Sequence, residues 1–503
     1  MKAVLIYPKF PDTFWSLKHA LKFVGKHAYT PPLGLMTIAP LLEKHFELRL
    51  VDLNVRPLRR SDLAWADYAF ISAMQVQEES ARQIIARCNA SGVKVVAGGP
   101  LFTHDHERFD GVNHFVLNEA EVVLPQFLAD LKEGRAGRLY TTDRFAELRE
   151  SPVPRFDLSS MKHYVSMCVQ YSRGCPFNCE FCDVTALFGR RPRVKPVEHV
   201  IAELNRLKEL GWRGQVFFVD DNIVGNRRDV KHQLLPALIE WQRTNGPMTF
   251  CSQASIDLAD DPELIDQLSR AGFTTLFIGI ETPDTDALMA CKKGQNINRD
   301  MLADIHRIQS AGIEVQGGFI VGFDNESPSI FRRQINFIQS SGIVSAMVGI
   351  LQAISGTRLY QRLREEGRLL SVATGNNVAD VTNFITTMDA QTLRDGYAYL
   401  LKNLYAPKTY YRRLRVFLSR YQRPKVRLPI DRHQIQAFCR SVVRLGILGR
   451  ERLQYWRLLF WTLLHRPKAL NTAVTLAILG HHYRRICQKY FRGERSALSA
   501  SED

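Results

Sequence analysis

Nowhere in the 503 residues does an uncharged apolar run approach the roughly 18 residues of a membrane-spanning helix, which argues against a conventional transmembrane protein. The opening Met1-Lys2-Ala3-Val4-Leu5-Ile6-Tyr7-Pro8 is too short an apolar stretch for a secretory signal and reads as a buried strand. The expectation is a cytoplasmic protein. Cysteine is sparse: nine residues, an odd number, too few for a disulfide scaffold and better suited to metal binding in a reducing compartment. Internal repeats and low-complexity tracts are missing. Acidic residues are scarce at one end. Residues 401–503 hold 22 Lys+Arg against 5 Asp+Glu, whereas the first 400 residues hold 45 against 46. The net charge of +16 therefore belongs to a C-terminal segment, which suggests an anionic surface, membrane or nucleic acid.

What is present is a globular composition, 45% hydrophobic, long enough for two to four domains. Short apolar runs at 3–7, 47–52, 68–72, 94–98 and 114–117 alternate with helical patterns at 33–44, 79–90 and 124–132. This rhythm predicts a doubly wound parallel sheet over residues 1–145. Ligands of such sheets sit at the carboxyl ends of the strands. Those ends carry Asn54, Ser72, Met74, Gln75, Gly98, Gly99 and Glu119. The Gly98-Gly99 pair fits either a tight turn or the close approach of a flat ligand. A linker with Pro152 and Pro154 spans 146–165. The strand–helix rhythm restarts at 169–172 and continues through 215–220, 249–254, 275–280, 314–321 and 346–351. Six such units over 166–385 predict a full or partial α/β barrel, with its active site at the carboxyl strand ends. Residues 386–503 read as helices broken near Pro407, Pro424, Pro429 and Pro467.

Three of the nine cysteines fall within eight residues, in Cys175-Pro176-Phe177-Asn178-Cys179-Glu180-Phe181-Cys182. Three soft thiolates on one loop suit an iron–sulfur cluster. A structural zinc site would close with a fourth Cys or His nearby, and none follows at short spacing. Three ligands leave one iron open to a substrate or cofactor. Cys88, Cys168, Cys251, Cys291, Cys439 and Cys487 lack ligand spacing and read as small packing residues.

With its Cys-x3-Cys-x2-Cys loop after a strand, the chain resembles the radical S-adenosylmethionine enzymes. The resemblance implies a 4Fe–4S cluster on Cys175, Cys179 and Cys182, with S-adenosylmethionine chelated by the open iron and cleaved to a 5′-deoxyadenosyl radical. It implies Phe181 beside the adenine. It places Asp220, Asp221 and Asn222 at the end of the second strand, Ser255 after the third, Glu281 after the fourth, Gly318 and Gly322 along the fifth and Gln352 after the sixth, all facing S-adenosylmethionine. An electron donor such as flavodoxin or ferredoxin is implied too. The doubly wound domain in front, with Pro31-Pro32-Leu33-Gly34-Leu35 and Gly98-Gly99-Pro100, resembles the cobalamin-binding subclass. Its members commonly move a methyl group to an unactivated carbon. The Asp-x-His-x-x-Gly motif is absent, so no protein histidine is expected beneath cobalt. Over nearly the whole chain the resemblance extends to the family containing the hopanoid C-2 methylases, which implies a hydrophobic or lipid substrate. Radical rearrangement, cyclisation or coupling of a lipid, and RNA or peptide modification, are the alternatives.

The basic segment alternates Arg and Lys with Leu, Phe, Trp and Tyr over 410–421 and 440–466. Cations beside aromatics suit a helix lying in a membrane interface, which predicts peripheral attachment to the inner membrane face. Packing of the apolar side against the barrel is the alternative. An RNA-binding signature is absent, so nucleic acid is not expected.

Overall fold

The computed structural model describes residues 1–376, Val378 and 381–500, with side chains as far as Phe491. Its first sheet has six parallel strands in the order Glu47–Asp52, Lys2–Tyr7, Tyr68–Ser72, Lys94–Gly98, His114–Val116 and Leu139–Tyr140. Five coincide with the apolar runs: the inner strands are apolar at successive positions because both their faces are covered, whereas Glu47–Asp52, at the sheet edge, alternates exposed Glu47 and Arg49 with Leu48 and Leu50. The sixth, two residues long, carries no such pattern. Helices Leu33–Leu42 and Ala120–Lys132 cover one face through Leu35, Ala39 and Phe127, while Glu78–Ala90 and Pro100–Asp105 cover the other through Ala81, Ile84 and Phe102.

The second sheet is an open barrel of six parallel strands in sequence order: Ser166–Val169, Gln215–Phe218, Phe250–Ala254, Phe273–Glu281, Glu314–Val321 and Ala346–Ile350. The first strand lies earlier than the expected 169–172. The reason is local: Asp220 accepts hydrogen bonds from the backbone N–H groups of Tyr171 and Ser172, which removes them from the ladder. Ser172–Arg173 instead pairs antiparallel with Arg193–Val194, a clasp closing the cysteine loop.

The C-terminal region is helical, as expected, over Ala390–Tyr405, Pro407–Arg420, Arg432–Ser441, Arg452–His465 and Leu470–Ala500. The break expected near Pro407 falls at Ala406, and Pro407 opens the next helix, where its missing N–H would be unpaired anyway. Much of this segment completes the barrel core. Tyr397, Leu400, Leu404, Leu414, Leu476 and Tyr483 bury against it, and the Tyr397 hydroxyl donates to the Val348 carbonyl at 2.9 Å. The basic excess is therefore not all on the surface. Arg413 is fully buried and donates to the Leu404 and Val344 carbonyls, and Arg484 meets Glu451 at 2.5 Å. Among the described residues no helix is long and apolar enough to cross a membrane.

The segment after the first strand meets the helix Leu470–Ala500. Phe14 rests against Tyr483 with ring centroids 5.8 Å apart, His482 is hydrogen-bonded to the Phe14 carbonyl, and Lys489 pairs with Asp12.

Candidate functional site

The cysteine loop leaves the clasp at Gly174, whose φ is +92°. A Cβ there would meet three carbonyl oxygens, of Arg191, Gly189 and Phe188, at 2.9–3.0 Å, so only glycine fits. Cys179 is buried, and Cys175 and Cys182 are partly exposed. Burial pushes the Cys175 and Cys182 thiols up, and the neighbouring Cys179 adds to this in both. A positive centre would be required to hold the three as thiolates together. No three His, Cys, Asp or Glu side chains among the described residues converge as a single metal ion requires. Thiolates bound to different irons of a cubane need not share a point, so the lack of a convergent trio does not oppose a cluster on this loop. The Gln295 amide donates to Cys179 Sγ at 3.7 Å, and its Oε1 is buried without a partner.

Lys293 stands out beside the loop. It is buried, pairs with Glu281 at 2.6 Å and lies 5.9 Å from the Phe181 ring centre. Burial disfavours its charge, yet Glu281, Cys179 and Cys182 hold its pKa above the usual lysine value. Glu281 itself has φ +64° at a bulge between the fourth and fifth strands, an uncommon conformation for a non-glycine residue. The expected strand-end acid is therefore here, coupled to a cation that sequence reasoning missed. Lys293 sits in a turn after a one-and-a-half-turn helix, Thr285–Ala290, where no strand-end rule looks.

The other expected residues separate into two groups. Asp221 lies at the cysteine side, its carboxyl pushed up to about 7 by burial and by Asp220 and Asp183. Phe181 packs edge-on to Phe323 at 6.0 Å. Asn222 and Ser255 bond each other through Asn222 Nδ2 and Ser255 Oγ at 3.2 Å. Asp220 departs from expectation. It is fully buried and spent on the backbone of Tyr171 and Ser172 and on Ser172 Oγ, so it braces the cysteine loop and does not face a ligand. Burial pushes its carboxyl up to about 6 despite those bonds. Gly318 also departs: the space of its missing Cβ is taken by the Phe277 ring, 2.7 Å from where that atom would lie. Gly322 has φ +97° and donates to Glu326, which also accepts from Thr282 Oγ1 at 2.8 Å. Gln352 is engaged with Thr374, Gly375 and Asn376.

On the first sheet, Asn54 and Met74 line a large cavity, and Met74 is half-exposed. Ser72 and Gly99 touch: a Cβ on Gly99 would lie 2.7 Å from Ser72 Oγ, and one on Gly98 2.6 Å from the Val116 carbonyl oxygen. The glycine pair is thus required by protein packing alone. Gln75 reaches Asp105 at 3.0 Å and the Ala373 carbonyl at 3.2 Å, bridging sheet and barrel. Glu119 is not free for a ligand. It is buried in ion pairs with Arg173, at 3.0 Å, and Arg193, while Glu121 holds Arg173 at 2.6 Å. These carboxylates tie the first sheet to the clasp directly before Cys175. Among the described residues Glu119 is the only carboxylate paired with Arg193. Glu119→Gln should therefore cost about 1–3 kcal/mol by leaving the partly buried Arg193 with carbonyl partners only. Thermal unfolding and iron content would both fall. An unchanged midpoint with full iron loading would refute the coupling.

A cavity of about 2440 Å³ runs from these strand ends through the barrel. Its lining includes Phe10, Asn54, Met74, Phe217, Gln253 and Phe277, and at the other end Tyr421–Ile430 and Leu470. Trp15, from the segment after the first strand, stands 4.8 Å from the Phe277 ring. Drug-sized pockets hold roughly 300–1,000 Å³, so this space suits a bulky cofactor together with an elongated substrate.

A three-cysteine loop at the first strand end of an open six-stranded barrel defines the radical S-adenosylmethionine class, and residues 169–338 match that superfamily. Residues 357–496 match a domain of unknown function (DUF4070). The chain belongs to the family of radical S-adenosylmethionine methyltransferases that includes the hopanoid C-2 methylase of Rhodopseudomonas palustris, to which it is 31% identical over 99% of its length and 96% of that protein. An uncharacterized methyltransferase of Synechocystis sp. is 38% identical over 96% of the chain and 91% of its own. Among solved structures, the cobalamin-dependent S-adenosylmethionine radical enzyme OxsB shares the fold with a TM-score of 0.61 at 13% identity, over 100% of this chain and 81% of that one. The radical S-adenosylmethionine methyltransferase TsrM from Kitasatospora setae does so at 0.56 and 16%, over 75% and 80%.

Proposed function

We propose that the protein is a cobalamin-dependent radical methyltransferase acting on an unactivated carbon of a hydrophobic, lipid-like substrate. The observation that carries this is the single cavity joining Asn54 and Met74 of the first sheet to the barrel interior. The relatives matched along the whole chain support the methyl transfer, one of them a hopanoid methylase. When bound, the cluster with S-adenosylmethionine supplies a 5′-deoxyadenosyl radical, and methylcobalamin supplies the methyl group. Cys175, Cys179 and Cys182 hold the cluster. Lys293 offers a fixed cation to the carboxylate of S-adenosylmethionine, Asp221 an acceptor to its amino group, and Phe181 a surface for the adenine. Asn54 and Met74 line the face that receives cobalamin, with Ser72 packed against Gly99 behind it and no histidine beneath the cobalt. Phe217, Phe277 and Trp15 exclude water from the space between. Electrons come from an external donor such as flavodoxin or ferredoxin. Anaerobic enzyme loaded with iron, sulfide and corrinoid should convert a bacterial lipid extract to a product heavier by one methylene. Formation of 5′-deoxyadenosine with an isomerised lipid of unchanged mass would favour rearrangement instead.

The C-terminal helices support attachment to an anionic membrane. Ile447, Leu448, Leu453, Phe460 and Leu464 are exposed, the last to 80%, beside the exposed cations Arg450, Arg452 and Arg457. Each cation contributes about 1 kcal/mol near an anionic leaflet, and the apolar side chains add a salt-resistant share. Flotation should recover the protein with anionic vesicles at low salt, and less with neutral ones. A Leu448→Asp/Leu464→Asp variant should lose the salt-resistant fraction. Equal recovery of variant and parent, or none of either, counts against this surface.

A further inference from the structure

Glu314 begins the fifth barrel strand, at the end away from the cysteine loop. Gly318 lies four residues further on, so about 13 Å of strand separates them. The Glu314 carboxyl lines the large cavity with Tyr29, Gln215, Cys251 and Gln316. Gln316 Nε2 and Ser345 Oγ both donate to its Oε1, each at 3.3 Å. Among the described residues nothing bonds its Oε2, and none of Arg423, Arg427 and Arg466, which also line the cavity, is paired with it. None of the groups acting on its ionisation is a cation, and burial pushes its pKa up to about 7. Nearby, Tyr29 Oη lies 3.5 Å from Gln215 Oε1 and 3.6 Å from Cys251 Sγ. A cavity whose lining is mostly apolar thus holds, at this end, uncompensated polar groups, one of them only half satisfied. Leaving such a group unpaired against an apolar ligand incurs its full desolvation penalty.

We propose that this end of the cavity is a subsite for a neutral hydroxyl at the far end of an elongated apolar substrate, with Glu314 and Gln316 as its hydrogen-bond partners. The assignment rests on the reading of the substrate as hydrophobic and adds the group that orients it. A hydroxyl both donates and accepts, so it suits a carboxyl in either protonation state. A phosphate or carboxylate would meet Glu314 with no cation beside it. An ammonium would demand a permanently ionised partner.

Calorimetry on the full-length protein, with ligands delivered from cyclodextrin, tests the assignment. Hexadecanol should bind about tenfold more tightly than hexadecane, the worth of one satisfied hydrogen bond. Glu314→Leu should erase that ratio while leaving hexadecane affinity within about threefold, and Glu314→Gln should retain part of it. A wild-type ratio near one, or a ratio that survives in Glu314→Leu, overturns the subsite but not the hydrophobic-substrate reading. Hexadecylamine bound more tightly than hexadecanol through Glu314 would overturn it in favour of a cation site. Failure of both hydrocarbon and alcohol to bind overturns both readings.

Discussion

In the Cys179→Ala variant, formation of 5′-deoxyadenosine falls to background, and the same holds for Cys175→Ala and Cys182→Ala. The effect is total and not graded because three thiolates are all the protein ligands the loop offers. Removing one leaves an iron without its protein anchor. The variant chains should still fold, since Cys179 is a small side chain on a loop held independently by its backbone. Cys182 N–H donates to the Cys179 carbonyl at 3.3 Å, Glu180 N–H to that of Cys291 at 2.9 Å, and Leu359 N–H to that of Glu180 at 3.0 Å. Cys88→Ser, in the core of the first sheet, provides the contrast: full cluster absorbance and product, with some loss of stability. Anaerobic product analysis and the visible spectrum decide the matter. A Cys179→Ala protein with parental absorbance and turnover would remove the cluster from this loop.

Lys293→Met should be the most damaging single change outside the cysteines. The substitution keeps the length of the side chain but leaves the Glu281 carboxylate buried without its cation, at a cost of about 3–5 kcal/mol. It also removes the charge offered to S-adenosylmethionine beside the cluster. These two losses separate in the Lys293→Met/Glu281→Gln protein, where the stranded charge is gone. Stability should return towards the parental value while the affinity for S-adenosylmethionine stays about 100-fold weaker, as expected for one buried charge-assisted hydrogen bond of 1.5–3 kcal/mol at its upper end. Equilibrium binding alongside thermal unfolding reads both quantities. Recovery of binding together with stability would make Lys293 a purely structural partner of Glu281.

The parts of this site that could be read from the chain are those whose chemistry is local. Cys175, Cys179 and Cys182 announce themselves by spacing, and fully apolar runs such as Ala3–Ile6 announce parallel strands because both faces are covered. Position alone misled for the acids. Glu119 and Asp220 occupy strand ends where ligands bind, yet each is taken by a partner far along the chain or across the loop, Arg193 in one case and the Ser172 backbone in the other. At Gly318 the space of the missing side chain is filled by the Phe277 ring, a packing role the strand pattern does not reveal. Lys293 and Glu314 were hidden for opposite reasons. The first lies in a turn whose burial depends on tertiary packing, and the second sits at the strand end that the carboxyl-end rule passes over. Apolar–basic alternation in the C-terminal helices identified their type but not their two destinations, a barrel wall holding Arg413 and an outer face holding Leu448 and Leu464.

The meeting of Phe14 with Tyr483, and of Asp12 with Lys489, sets an order of events at the ribosome. Both sheets and the cysteine loop are translated well before the final helix emerges, and at 5–20 residues per second that interval lasts on the order of tens of seconds. Throughout it Phe14 and Asp12 lack the partners they have in the finished fold. Completion of the helix Leu470–Ala500 then brings Tyr483 and Lys489 to partners made hundreds of residues earlier, so these contacts are among the last of the fold to form.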